Sequence, residues 1–300
     1  MTIACYDPQS EPRLPRDVVS FRCPPGRAMN IIDVHTHAFA DGIAERAIEQ
    51  LEAEVADKGI KSHLDGTIGA LKGSMAQAGI ALSVVQPVST RASQVRPIND
   101  WAHEVSQDGI LCFGTIFPGM EGSEQEVARL AELGIKGVKF HPDYQRFFPD
   151  DRWVYPIYEA LSHYGLIVMF HAGKDIGLYP PVHATPGRIA QVLSDFPELT
   201  VVAAHLGSYE MWDEVEEVLV GKRIFFDTSY VFNHMDQGRA LRIMEEHGFE
   251  RILFGTDSPW ERQDLEVQAF QRLPIPDDAK EAILSENAQQ VLDIRGGKTK

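Results

Sequence analysis

The stretch IIDVHTHAF, from Ile31 to Phe39, begins the repeating part of the chain. Its start is short, apolar and rich in β-branched side chains, which is typical of a buried strand. Because side chains alternate along a strand, Asp33, His35 and His37 are expected to point to the same face. The end of this strand therefore offers two neighbouring imidazole groups, which can hold a metal ion or make two separate polar contacts.

Strand-like and helix-like runs alternate from this stretch onward. The strand-like runs are IIDVHTHAF, ALSVVQPV, ILCFGTIFP, IKGVKFHP, LIVMFHAG, LTVVAAHLG, RIFFDTSY and RILFGTDSPW. Repeated β-α units indicate a parallel sheet covered by helices. Eight such units in about 250 residues are what a (β/α)8 TIM barrel requires. An open doubly wound sheet is the alternative, but no glycine-rich nucleotide loop follows the first strand.

Residues 1–28 differ from the rest of the chain. The segments DPQSEPRLPRDVV and RCPPGRA are rich in proline and follow no clear period. Such composition predicts an irregular N-terminal arm. Residues 29–300 are expected to form a single barrel that carries the catalytic site.

The composition excludes several classes of partner. A net charge of −16 argues against a nucleic-acid ligand, because no basic stripe is available for phosphate. The three cysteines, Cys5, Cys23 and Cys112, are widely spaced and form no disulfide framework, which favours a cytoplasmic protein. No apolar run approaches the roughly 18 residues of a membrane span. A small-molecule substrate is expected, and assembly into a homo-oligomer stays open.

Ionisable side chains end several of the predicted strands. They are His35, His37, Lys139, His141, His171, His205 and Asp257. The C-terminal ends of barrel strands converge on one mouth, where active sites lie. Burying several imidazoles and a carboxylate together is costly unless a bound cation compensates. Nitrogen and carboxylate ligands suit Zn²⁺ well, with Mn²⁺ among the alternatives, and one ion is favoured over two.

The remaining histidines receive a simpler interpretation. Most are placed in loops or on helix surfaces without a chemical role: His63, His103, His163, His234 and His247. His183, in the loop YPPVHATPG, is a candidate for substrate contact.

Several motifs, taken in order, resemble the amidohydrolase superfamily. They are the HxH of the first strand, KFHP, HAG, AHLG and GTDSPW, with ILSENAQQVLDI near the end. The branch they resemble contains barrel hydrolases related to aminocarboxymuconate-semialdehyde decarboxylase, and the similarity covers about residues 31–293. The resemblance implies a ligand set of His35, His37, His171 and Asp257. It also implies that His205 polarises the substrate or stabilises an oxyanion, and that Asp257 transfers a proton.

The fourth strand is where members of this superfamily differ. Members with two metal ions bridge them there with a carboxylated lysine or a glutamate. Lys139 shares the face of His141 by alternation, so it could take this position. Binding of a substrate carboxylate or pairing with an acid are the simpler roles for Lys139. His141 is either a substrate contact or an extra ligand.

Other residues are candidates for shaping the substrate pocket. They are Phe39, Tyr144, Arg146, Lys174, His183 and Trp260. Arg146 and Lys174 would suit a carboxylate-bearing substrate, although ordinary solvated loop charge explains them equally simply.

Hydrolysis is the leading functional hypothesis. In it, metal-activated water attacks the carbonyl of an ester, lactone or amide of a small molecule. The alternative is a metal-dependent non-oxidative decarboxylase of an unsaturated or aromatic carboxylic acid, because the same ligands serve both reactions. The motif GVKFHP resembles hydrolase-type members and favours the first. A non-catalytic metal-binding barrel is the third hypothesis, and a phosphate-ester hydrolase lacks the expected arginine cluster.

Overall fold

A computed structural model describes residues 31–294 of the protein, in which every strand pairs in parallel with its neighbours. The strands are β1 (Ile31–Thr36), β2 (Ile80–Val85), β3 (Ile110–Cys112), β4 (Gly114–Thr115), β5 (Gly137–Phe140), β6 (Ile167–Phe170), β7 (Val201–Ala203), β8 (Phe225–Asp227) and β9 (Ile252–Leu253). They form two sheets, β1-β2-β3 and β4-β5-β6-β7-β8-β9. The predicted N-terminal arm lies outside the described residues.

The two sheets join into one closed barrel. On one side, the Val34 N–H donates to the Phe254 carbonyl at 2.8 Å, which ties β1 to the chain after β9. On the other side, β3 and β4 are one continuous segment interrupted at Phe113, whose N–H donates to the Val85 carbonyl at 2.9 Å. The predicted third strand is divided because its first half pairs with β2 and its second half with β5. The (β/α)8 prediction is thereby confirmed.

Helices follow the strands and cover the outside of the barrel. They are α1 (Asp41–Glu54), α2 (Ile68–Ala78), α3 (Ala92–Val105), α4 (Ser123–Glu132), α5 (Pro142–Gln145), α6 (Tyr155–His163), α7 (Pro186–Asp195), α8 (Trp212–Val218), α9 (Gln237–His247), α10 (Gln263–Gln271), α11 (Asp277–Glu281) and α12 (Asn287–Val291). A π-helical segment, Ala282–Glu286, joins α11 to α12. Among the described helices, none is long and apolar enough to cross a membrane.

The apolar core has two parts. The larger part lies between the sheet and the helices, and it includes Val138, Phe140 and Phe170. The smaller part fills the inside of the barrel with side chains from successive strands: Ile32, Val34, Leu82, Val84, Leu111, Phe113, Ile167, Met169, Val202 and Leu253. Because this apolar layer fills the barrel interior, the polar strand ends lie beyond it, at the C-terminal mouth.

One histidine departs from its predicted placement on a helix surface. His247, at the end of α9, is fully buried and stacks on Phe226 with ring centroids 3.9 Å apart. Its Nε2 lies 2.8 Å from the Ile224 carbonyl, and its Nδ1 accepts the Gly221 N–H at 3.2 Å. The prediction was wrong because both ring nitrogens find backbone partners inside the core, so burial costs little.

Candidate metal centre

Three of the predicted metal ligands meet at the mouth of the barrel. His35 and His37 come from β1 and its continuation, and Asp257 follows β9. Oδ1 of Asp257 lies 3.0 Å from Nε2 of His37 and 3.5 Å from Nε2 of His35. One ligand atom from each of the three residues lies within 4.8 Å of the other two, a spacing that a single ion can bridge.

Hydrogen bonds behind the two imidazoles fix which nitrogen is free. Nδ1 of His35 lies 2.8 Å from Oδ2 of Asp227, and Nδ1 of His37 lies 3.1 Å from the Gln86 carbonyl. Both partners are acceptors, so each Nδ1 is placed to carry a hydrogen, and Nε2 is the nitrogen that each ring turns toward the mouth. Metal-binding histidines are oriented in this way by a carboxylate or carbonyl behind them. The donor set therefore fits a divalent cation.

The charge state of these groups also suits a cation. Burial, and then the neighbouring Lys139 ammonium, lower the pKa of His35 to about 4, so its imidazole is neutral at neutral pH. Burial alone would raise the pKa of the Asp257 carboxyl, but His35 and His37 hold that pKa well below its usual range. The trio thus offers the neutral imidazole of His35, the imidazole of His37 and one carboxylate, a combination of ligand types that suits Zn²⁺ and Mn²⁺.

Asp33 does not join the site, although simple alternation placed it on the face of His35. Its Oδ2 accepts hydrogen bonds from the Thr256 hydroxyl at 2.6 Å and from Nε2 of Gln263 at 2.7 Å. The register of β1 against β2 shifts between Asp33 and Thr36. Because of this irregularity, Asp33 and His35 point in different directions.

The fourth predicted ligand, His171, lies beside the trio rather than within it. Its Nδ1 lies 3.2 Å from Nε2 of His205, whose own Nδ1–H donates to the Ser229 carbonyl at 2.9 Å. The Nε2 atom of His171 is buried and has no hydrogen-bond partner in the described part of the chain. An unpaired buried nitrogen is costly, and a ligand in the mouth would relieve that cost.

His141 stacks on His171, with ring centroids 4.1 Å apart and planes 6° from parallel. Its Nε2 lies 3.2 Å from Oδ2 of Asp175. The three side chains are close enough together to resemble a second ion site. The lone pairs of stacked imidazoles lie in separate parallel planes, however, so the two rings do not converge on one ion. We therefore assign His141 to the wall of the mouth.

Lys139, on β5, lies at the floor of the mouth. Its Nζ is 3.0 Å from Nε2 of His35, and the side chain is fully buried. Burial lowers the pKa of the Lys139 ammonium to about 8, against the opposing effect of Asp227 and Asp257. The alternation argument correctly brought Lys139 to the mouth together with His141.

Backbone strain is concentrated at the same place. His205 and Asp257 adopt left-handed conformations, with φ of 61° and 67°. Such φ values are uncommon for residues other than glycine, and they cluster at functional sites where the surrounding structure enforces them. Here they turn the two side chains into the mouth at the ends of β7 and β9.

A cavity of about 1100 Å³ opens above the donor atoms. Five of the six predicted pocket residues line it: Phe39, Tyr144, Arg146, Lys174 and Trp260. The sixth, His183, is not part of the lining. Its Nδ1 lies 2.8 Å from Oδ1 of Asp143, and its ring stacks on Phe148. His183 thus holds the loop after β6 in place instead of facing the cavity.

Sequence reasoning missed the residues behind the ligands. Asp227 accepts from His35, from the His205 N–H at 3.0 Å and from the Ser229 hydroxyl at 2.6 Å. Asp175, beside His141, was missed as well. Asp227 and Ser229 stand at a strand end, in RIFFDTSY, which is the same signal that identified the other residues. Asp175 lies in a loop and carries no comparable signal.

Comparison with known families agrees with this fold. The amidohydrolase family model matches residues 32–294. The chain therefore belongs to the amidohydrolase family, whose members are metal-dependent barrel enzymes. A search of curated proteins gives no significant match.

Solved structures share the fold over most of the chain. An uncharacterised TIM-barrel protein from Bordetella bronchiseptica is 24% identical, with a TM-score of 0.71 over 89% of this chain and 99% of that one. The 5-carboxyvanillate decarboxylase of Sphingomonas paucimobilis is 17% identical, with a TM-score of 0.70 over 89% and 100%. A dihydroxybenzoic acid decarboxylase from Polaromonas sp. JS666, with bound manganese, is 18% identical, with a TM-score of 0.69 over 89% and 98%. At these identities the similarity establishes the fold.

Proposed function

We propose that the protein is a metal-dependent, non-oxidative decarboxylase of an aromatic carboxylic acid. The observation that carries the proposal is a cavity with aromatic walls above a cluster of metal-type donors. The wall residues include Phe39, Trp101, Phe117, Tyr144, Trp153 and Trp260. Aromatic side chains bind planar rings by stacking and edge contacts. A hydrophobic cavity with a few convergent polar groups is the usual form of a small-molecule site.

The ligand roles are part of this proposal. His35, His37 and Asp257 would hold one divalent ion, with His171 completing the set. The bound ion would supply a positive centre for the carboxylate of the substrate. Zn²⁺ and Mn²⁺ both fit two imidazoles and a carboxylate. The manganese found in the Polaromonas enzyme supports including Mn²⁺ in every test.

The remaining side chains of the mouth would position the substrate and move protons. The Lys139 ammonium, 3.0 Å from Nε2 of His35, lies where it can pair with an acid group of the substrate. When the bond to the carboxyl carbon breaks, its electron pair stays on the ring carbon, which then takes a proton. That proton comes from water or from an acid group of the substrate, and His205 and Asp257, turned into the mouth by their left-handed backbones, are the groups placed to take it up and pass it on.

Hydrolysis, the leading hypothesis from sequence, is the second candidate. The observation that favours it is the ionised Asp257 beside the donor nitrogens, since such a carboxylate can take a proton from an attacking water. We rank it second because the walls suit a planar ring. Two of the similar solved structures are also decarboxylases of hydroxylated benzoic acids. Cytoplasmic location and oligomeric state stay predictions.

One experiment separates the two reactions. The full chain, loaded with Mn²⁺ or Zn²⁺, is incubated in D₂O with 2,6-dihydroxybenzoate, with 5-carboxyvanillate, and with aryl esters and lactones. A decarboxylase releases carbon dioxide and leaves one deuterium on the ring carbon that carried the carboxylate. A hydrolase converts the esters or lactones to acids and releases no carbon dioxide, and this result would overturn the proposal. A His205→Asn variant controls for contaminating activity.

A further inference from the structure

Charged side chains in the cavity wall are almost all paired. Besides the histidines, Lys139 and Asp257 at the mouth, four charged side chains line the cavity: Glu54, Arg146, Lys174 and Asp175. The Tyr144 hydroxyl donates to Glu54 at 2.7 Å, and Oδ2 of Asp175 lies 3.2 Å from Nε2 of His141. Lys174 lies 3.1 Å from Glu210. Arg146 is the fourth, and within residues 31–294 its guanidinium makes no ion pair, hydrogen bond or ring contact.

The backbone of Arg146 is held firmly in place. Arg146 ends α5 in a left-handed conformation, with φ of 57°. The preceding residue, Gln145, donates from Nε2 to the Ser89 and Ile116 carbonyls at 3.1 and 2.8 Å. The following residue, Phe147, is buried in the core. The backbone of Arg146 is thus fixed on both sides while its side chain stays exposed, so that binding has to order the side chain but not the turn that carries it.

An arginine that faces a cavity without a partner is chemically specific. The guanidinium is always charged and presents parallel N–H groups that match the two oxygens of a carboxylate. The chain as a whole is strongly acidic, with a net charge of −16, and this makes an unneutralised cation in its main cavity notable. An anionic group of the substrate would supply the missing partner.

We propose that Arg146 binds a second carboxylate of the substrate, remote from the one that meets the metal centre. The substrate is then an aromatic dicarboxylic acid, and Arg146 determines its specificity. This inference rests on the proposed function, because it takes the donor cluster as the site of the first carboxylate. It adds a second point of attachment that fixes the orientation of the ring in the cavity.

A matched pair of ligands tests this inference by binding alone. Salicylate carries one carboxylate beside a hydroxyl group, and 4-hydroxyisophthalate has the same arrangement plus a second carboxylate. Both are titrated by calorimetry into the Mn²⁺-loaded full chain, its Arg146→Gln variant and an Arg188→Gln control. Arg188 stacks over Phe148 and pairs with Asp150, and it does not line the cavity. The Arg146→Gln substitution keeps the aliphatic part of the side chain next to the backbone, so the turn is preserved.

The wild-type protein is expected to bind the diacid about 10- to 100-fold more tightly than salicylate, the range for a hydrogen bond to a charged group. Arg146→Gln is expected to abolish that preference while leaving salicylate affinity within about twofold, and Arg188→Gln to keep it. Failure of the wild-type protein to prefer the diacid, or a preference that survives in Arg146→Gln, overturns the inference. If the protein releases carbon dioxide but does not prefer the diacid, only the role of Arg146 is wrong. If it prefers the diacid but releases no carbon dioxide, only the proposed reaction is wrong.

Discussion

The carboxylate of Asp227 lies 2.8 Å from Nδ1 of His35, joining the end of β8 to the end of β1 past the intervening strand β9. This contact orients the imidazole and keeps its hydrogen on Nδ1, so that Nε2 faces Asp257. Asp227 stays ionised in the interior: burial opposes ionisation, but the contact with His35 outweighs it and holds the pKa of Asp227 well below its usual range. The site thus depends on a residue that would not touch the ion.

Replacing Asp227 with Asn is expected to weaken metal binding about 10- to 100-fold. The amide nitrogen of Asn donates, so it favours the wrong tautomer of His35, with the hydrogen on Nε2. Metal affinity is measured by competition with a chromogenic chelator. Glu126→Gln is the matched control, because Glu126 is a buried carboxylate that pairs with Arg129 and Asn99, outside the cavity lining. Equal affinities for Asp227→Asn and wild-type protein would refute the role of Asp227.

A methyl group added at Gly255 is expected to disturb the same imidazole. A Cβ atom there would lie 2.9 Å from Cβ of His35, and also near the side chains of Ser229 and Asp227. Gly255→Ala should therefore weaken metal binding and lower the free energy of unfolding by about 1–3 kcal/mol. Gly73→Ala, in α2, is the control: its Cβ meets nothing within 4 Å, and the change should stabilise the helix by up to about 1 kcal/mol. Chelator competition and urea denaturation give both quantities.

His205→Asn is expected to lower kcat at least about 100-fold while leaving the metal content unchanged. His205 faces the mouth with Nε2 but does not belong to the trio of His35, His37 and Asp257. Elemental analysis and carbon dioxide release are measured on the same preparation, with the exposed His103→Asn as control. Loss of the metal together with activity would make His205 a ligand instead.

The contribution of Glu266 to the stability of the protein is expected to fall as pH rises from about 5 to about 8. Burial, and then the nearby Glu261, raise the pKa of Glu266 to about 8, and its buried Oε2 has no hydrogen-bond partner in the described residues. The folded state therefore keeps a proton that the unfolded state releases above its ordinary pKa, so the stabilisation present at low pH is lost as pH rises through the folded pKa. Burial also raises the pKa of Asp33 to about 7, so the contribution of Asp33 to stability falls with rising pH in the same way.

Glu266→Gln tests this dependence, because Gln keeps the shape and carries no charge. Since each unit of pKa difference corresponds to about 1.4 kcal/mol and the pKa of Glu266 is raised from 4.5 to about 8, we expect the variant to gain up to about 5 kcal/mol over wild type at pH 8 and little at pH 5. The measurement is urea denaturation across this pH range. The exposed Glu45→Gln should leave the slope unchanged. An identical slope in Glu266→Gln and wild type would contradict the assignment.

Much of the barrel and its mouth could be predicted from local patterns. In the runs that end in His171, His205 or Asp257, the apolar residues predict a strand and the ionisable residue directly after them predicts a side chain at the mouth. Both predictions come from one short stretch of sequence. The fold and the family were confirmed for this reason. The same signal is present in RIFFDTSY, but Asp227 accepts hydrogen bonds behind the ligands, and the local pattern does not distinguish such an acceptor from a ligand.

Other features depend on geometry that local patterns do not carry. The register shift in β1 separates Asp33 from His35, and alternation alone cannot anticipate a shift that arises from pairing with β2. The loop after β6 places His183 on Asp143 instead of the cavity, a contact between segments 40 residues apart. His247 is buried because carbonyl and amide partners happen to meet it inside the core.

The metal centre is best tested through the metal content of the untagged full chain, determined by elemental mass spectrometry after incubation with Zn²⁺ or Mn²⁺. A His35→Ala/His37→Ala variant is analysed beside a His63→Ala/His103→Ala control, whose histidines are exposed. We expect about one equivalent in the wild-type protein and in the control, and none in the His35/His37 variant. Absence of metal from the wild-type protein, or an undiminished content in the His35/His37 variant, would contradict this expectation.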